Sequence, residues 1–196
     1  MGETRRSDGA AELLTDGAAE LMSRREAGAL LGELAGLDRE TARRVLDAGL
    51  AGEGMRLRGT VLHERARVAE LAARPCLEDL PLGRDSLPEA CQRGTFVARL
   101  GPRRPDSSAA GPWRVSALAR VRLRATMEAQ GFVPFVATRG GYVVLGGDAV
   151  GTETGEDGTR FLLREPGRWY AAWRDGRLPA SPGPPWQVWP SGLWQM

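Results

Sequence analysis

Between Ser23 and Pro75 the apolar residues change period twice, from helical to extended and back, and that succession constrains the fold more than any other feature of the chain. Ser23-Arg24-Arg25-Glu26 has the form of a capping box. In such a box the serine oxygen accepts from a first-turn amide while the glutamate reaches back to the serine amide. Ala27, Leu30, Leu31 and Leu34 follow at helical spacing until Gly36 interrupts them. Asp38 offers a second N-cap, with Ala42, Val45 and Leu46 on one stripe and a stop at Gly49. Met55-Arg56-Leu57-Arg58 and Val61-Leu62 read as short strands around Gly59-Thr60, a small hairpin. Val68, Leu71 and Ala72 then predict a third helix from about Glu64 to Arg74, ended by Pro75.

Helix, turn, helix, hairpin, helix is an order that puts side chains into a DNA groove. The second helix fastens itself to the first by its apolar stripe and shows its polar face to base edges. Arg39 and Arg43 are four residues apart on that face, with Arg44 beside them. An arginine there can donate two hydrogen bonds to guanine. Thr41 is placed to touch a phosphate or a thymine methyl. Arg56 and Arg58 alternate about Leu57, which predicts that both leave one face of a strand toward phosphates or the minor groove. Ser23, Arg24 and Arg25 open the first helix, where free amides and the helix dipole suit a phosphate. The competing reading is a solvated surface on which Glu40 and Asp47 pair with these arginines.

Residues 21–75 resemble the winged helix-turn-helix of the excisionase and MerR-type regulators. The matching stretches are SRREAGALLG at 23–32, ETARRVLDAGL at 40–50 and RLRGTVLHERARVAELAARP at 56–75. The resemblance implies that 40–50 is a recognition helix, that 56–62 is the wing, and that Arg43, Arg44, Arg56 and Arg58 meet DNA. It covers little more than a quarter of the chain. Where the family passes quickly from LLG to the recognition helix, Glu33-Leu34-Ala35-Gly36-Leu37 intervenes here. Roughly four extra residues add about one helical turn to the first helix or change the angle between the two.

The remaining chain divides by composition. Residues 1–20, with two Arg against five acids, read as a flexible acidic arm with one short helix around Ala10–Leu14. Residues 76–111, rich in Pro and Gly, read as a linker with one strand near Thr95–Leu100. Residues 112–196 predict a small α+β domain for dimerisation or effector sensing, with a Trp/Pro-rich tail. In it Ser116 caps a helix through Gln130 with Leu118, Val121, Ala125 and Met127 inward. Two hairpins follow, one around Arg139-Gly140-Gly141 and one around Asp157-Gly158. The expected fold class is therefore α+β, a winged helix-turn-helix followed by an α+β domain with antiparallel hairpins.

Composition narrows the function. All 27 basic residues are arginine, and lysine, asparagine and isoleucine are absent, a bias that follows from GC-rich codons and makes each arginine weaker evidence of phosphate binding. Cys76, Cys91 and the lone His63 cannot furnish a tetrahedral zinc site, and no nucleophile–base pair can be assembled. No cofactor, metal or enzymatic activity is expected. Without an apolar run of bilayer length or a signal sequence, the expected compartment is the cytoplasm. Five of the six tryptophans follow residue 168. They either cover a small sheet or form a platform for a ligand, a second copy or nucleic-acid bases. The expected function is sequence-specific binding of double-stranded DNA by a bacterial transcriptional regulator, with a homodimer or protein partner engaged through 112–196. An excisionase-like architectural factor and a protein-interaction module acting through the Trp-rich C-terminal domain are the alternatives.

Overall fold

The structure, a computed structural model, describes residues 19–77, 88–101, 104–179 and 184–189. Most of the acidic arm, the expected helix at Ala10–Leu14 and Trp194 lie outside the described residues. The chain is mixed α+β with two sheets.

The first sheet belongs to the N-terminal part. Strand β1 (Leu21–Ser23) leads into helix α1 (Arg24–Ala35), then helix α2 (Arg39–Asp47), strands β2 (Met55–Leu57) and β3 (Thr60–Glu64), and helix α3 (Arg65–Ala72). The strand order is β1-β3-β2, all antiparallel, so the expected hairpin gains a third strand from the residues just before α1. The capping box forms: the Ser23 hydroxyl accepts from the Glu26 amide at 3.3 Å, and the Ser23 amide donates to the Glu26 carboxylate at 2.8 Å. Helix α1 runs past Gly32 to Ala35 and is closed by Gly36, whose amide donates to the Gly32 carbonyl. Glu33, Leu34 and Ala35 thus belong to the first helix. Ala27, Leu31, Ala42, Val45, Leu46, Val68 and Leu71 meet in one core between the three helices.

The second sheet has the order β7-β6-β5-β4-β8, from strands β4 (Thr95–Arg99), β5 (Val133–Arg139), β6 (Tyr142–Gly155), β7 (Gly158–Arg164) and β8 (Trp186–Trp189). The stretch read as a linker therefore supplies β4, a central strand whose Phe96, Val97 and Ala98 are fully buried. A continuous apolar run is what a strand covered on both faces requires. β4 pairs with β5 in parallel, through a crossover carrying helix α4 (Ala117–Gln130), and every other pairing is antiparallel. The two expected hairpins share one long strand, β6, which is irregular between Ala149 and Gly151.

Helix α4 covers one face of this sheet, with Phe96, Phe135, Ala149 and Phe161 beneath it. The inward set expected for it holds only at Met127, which packs against this core: Ala119 and Leu123 are buried, whereas Leu118 is 60% and Val121 66% exposed. An apolar residue on each side defeats a periodicity argument, because either stripe satisfies the helical spacing. Trp169, Trp173 and Trp189 cover the opposite face, and Trp113 is buried under the α4 side. The tryptophans therefore serve as sheet cover. Trp169 anchors its layer by donating from Nε1 to the buried Asp148 carboxylate at 2.7 Å.

Leu123→Ala should cost about 2–5 kcal/mol in a denaturant titration, the usual range for a buried leucine. Leu118→Ala should stay within about 0.5 kcal/mol of wild type. The opposite ranking would restore the phase read from the sequence.

Candidate nucleic-acid interface

Helix α2 is buried along two neighbouring lines and open along the rest. It packs on α1. Its Thr41 and Val45 meet the tip of the β5–β6 hairpin: a Cβ on Gly140 would lie 2.4 Å from Val45 Cγ2 and 3.3 Å from Thr41 Cγ2. Arg39, Glu40, Arg43, Arg44 and Asp47 form the exposed arc. Asp38 caps the helix, accepting from the Glu40 and Thr41 amides, both at 2.9 Å, and from the Thr41 hydroxyl at 2.7 Å. The Thr41 hydroxyl, then its amide, holds the Asp38 carboxyl below the usual carboxylate range. Thr41 is thus half-buried, its hydroxyl turned to the cap and its methyl to the hairpin, rather than standing free on the exposed arc.

The arginines of this arc are partly self-neutralised. Arg43 grips the Glu40 carboxylate with Nε at 2.9 Å and Nη2 at 2.7 Å, and Arg44 adds Nε at 3.1 Å. The Arg43 bonds, followed by its charge and then by Arg44, hold the Glu40 carboxyl below its ordinary value. Exposed pairs at this spacing are weak because water screens them, so either arginine can exchange Glu40 for a phosphate or a base edge. Asp47 pairs with Arg24 rather than with its helix neighbours.

Arg24 is half-buried and tied to α2 by this pair. Its guanidinium reaches Asp47, and its buried Nε has no hydrogen-bond partner among the described residues. His63, on β3, is 3% exposed, and its Nδ1 likewise lacks a partner there. Burial, reinforced by the Arg24 charge, pushes the His63 pKa below its ordinary 6.5. Ser23 is committed to its capping box. Of the three residues expected to cradle a phosphate at the start of α1, only Arg25 is exposed and without an ion pair to a described residue.

The hairpin departs from its expected geometry at one residue. Leu57 pairs with Thr60, leaving Arg58-Gly59 as a two-residue loop with φ of 46° and 83°. Positive φ at both positions is the type I′ turn that a right-twisted hairpin favours. Arg58 therefore leaves from the turn, not from a strand face shared with Arg56. The register puts Arg56 opposite Val61, on the side that also carries Met22 and His63, while Met55 and Leu57 face the other way. Arg39, Arg56 and Arg58 are all exposed and have no hydrogen bond or ion pair with a described residue.

What the sequence did not disclose is the involvement of the second sheet. Tyr142, fully buried, belongs to the core formed by α1, α2 and α3. Around it the chain is stapled: the Leu178 amide donates to the Gly141 carbonyl at 2.9 Å. The Arg177 amide donates to the Pro75 carbonyl at 2.9 Å, and the Leu77 amide to the Arg177 carbonyl at 2.8 Å. No local signal could have found this, since Val45 and Gly140 are joined only by tertiary structure. No helix among the described residues is long and apolar enough to cross a membrane. Comparisons of the chain with family models, with curated proteins and with solved structures find no match.

The buried histidine gives a pH dependence whose sign is fixed. A folded pKa below the unfolded value means that the unfolded chain takes the proton first as pH falls. The stability contributed by neutral His63 is present above about 6.5 and is lost as pH drops from there toward the folded pKa. The thermal midpoint of wild type should fall between pH 7 and pH 5 more steeply than that of His63→Gln, followed by circular dichroism at each pH. Parallel curves would show that His63 is not the group responsible.

Proposed function

We propose that this chain binds double-stranded DNA sequence-specifically as a transcriptional regulator. In this reading residues 21–75 act as a winged helix-turn-helix, with α2 as the recognition helix and the β2–β3 hairpin as the wing. The observation that carries the proposal is the open arc of α2. A helix held along Thr41 and Val45 by one neighbour and against α1 by another keeps its Arg39, Arg43 and Arg44 side accessible.

The turn at Arg58 adds support from strain. A non-glycine residue in the left-handed region costs about 1–2 kcal/mol, and glycine would occupy it freely. Arg58 is the one non-glycine residue with positive φ among the described residues, and its guanidinium is exposed. An arginine kept at a hairpin tip at this backbone cost is placed to reach a phosphate or the minor groove. Affinity in this scheme comes from phosphate neutralisation by Arg25, Arg56 and Arg58, and discrimination from Arg39, Arg43 and Arg44. A lone module offers only about 600–1,000 Å² to DNA, so a second copy, paired through the residues beyond 112, completes the reading.

The test begins with selection of bound fragments from genomic DNA, followed by titrations at several salt concentrations. Arg43→Ala with Arg44→Ala should erase most of the preference for the selected site. Arg56→Ala with Arg58→Ala should weaken all sequences alike and reduce the salt slope by about two. If neither double variant changes binding, the assignment fails. Arg58→Gly should separate stability from function, raising stability by about 1 kcal/mol while lowering the salt slope by about one. A loss of stability instead would mean that Arg58 makes contacts that hold the hairpin.

A further inference from the structure

We propose that the tip of the β5–β6 hairpin, Gly140 with Tyr142, is the seat that sets the position of α2, so that these are positioning residues for DNA recognition. The inference rests on the reading of α2 as the recognition helix. It goes beyond that reading by assigning part of the recognition geometry to residues that lie about a hundred positions away and never touch DNA.

The contact is tight and rigid on the hairpin side. Gly140 has φ +58°, and any Cβ there would overlap Val45 Cγ2, so the backbone of the tip lies directly against the helix. Two residues on, the Tyr142 ring is fully buried in the core that α2 shares with α1 and α3. The tip is held from behind. Arg139, 7% exposed, donates to the carbonyls of Gly101 at 3.0 Å and Arg104 at 2.7 Å and to Asp106 at 2.7 Å. Tyr142 and Cys76 each pair with Arg177, joining the hairpin to the chain that leaves α3. A helix seated on such a support cannot roll about its axis without opening the core. Its roll decides which of Arg39, Arg43 and Arg44 points into a groove, and displacements near 1 Å are enough to spoil base contacts.

The experiment is a double-mutant cycle on the full chain with Gly140→Ala, Val45→Ala and both together. The left-handed strain of an alanine at 140 is common to two corners of the cycle and cancels. Binding to the selected site and to unrelated DNA is measured for each, with amide hydrogen exchange of Ala42–Leu46 in the absence of DNA. Gly140→Ala should lower the ratio of specific to non-specific affinity by about tenfold, with non-specific binding and its salt slope unchanged. Adding Val45→Ala should return most of that ratio by making room for the new methyl. A merely structural role would instead reduce both affinities in proportion to unfolding, with no recovery in the double variant, and that result overturns the proposal. Unchanged exchange at Ala42–Leu46 in Gly140→Ala also overturns it. If wild type binds no DNA at all, the function proposed above fails. The exchange rates then decide the seating by themselves, since Gly140→Ala should speed exchange along α2 and the double variant should slow it again.

Discussion

Burial of the Tyr142 ring in the core of α1, α2 and α3 joins the two sheets into one packed body. An aromatic side chain removes about 150–250 Å² from water, or about 4–6 kcal/mol at the usual coefficient. Its hydroxyl is buried without a hydrogen-bond partner among the described residues, a cost of about 1–3 kcal/mol. The apolar gain exceeds that cost, so the ring stays in the helical core. Desolvation there raises the phenol pKa, consistent with a hydroxyl that has exchanged water for hydrocarbon. The N-terminal helices therefore share their core with a residue of the second sheet.

Electrostatics divides the arginines by what they have already met. Arg24 is spent on Asp47 at the surface, and Arg139 is drawn inward to backbone carbonyls and Asp106. Arg104 stacks over Trp113 with its carbon 3.8 Å from the ring centroid. Arg43 and Arg44 share one exposed carboxylate, a bond too weak to withhold them from a stronger anion. Arg25, Arg39, Arg56 and Arg58 remain at the surface. A chain whose only strong cation is arginine uses it for packing, for ion pairs and for its open surface alike, so counting arginines along the sequence separates none of these roles.

Local chemistry was legible. The capping box at Ser23, the Asp38 cap, the stops at Gly36 and Pro75 and the turn at Gly59 depend on residues within a few positions of one another. The second hairpins were legible for the same reason. The phase of α4 was not, because Leu118 and Val121 make as good a stripe as Ala119 and Leu123. The strand expected near Thr95–Leu100 forms as β4, but its central place in the sheet was hidden, since a five-residue strand buried on both faces carries little periodic signal of its partners.

The sequence by itself determined which segments become helix or hairpin and which arginines lie near one another along the chain, because caps, turns and periodicity act over single turns of backbone. Only the tertiary structure decided that Arg24 pairs with Asp47, that Thr41 faces Gly140, and that Tyr142 completes the helical core. Those outcomes come from burying apolar surface between segments far apart in sequence. Which surfaces meet depends on the shape of the whole packed body, a property that no local stretch carries.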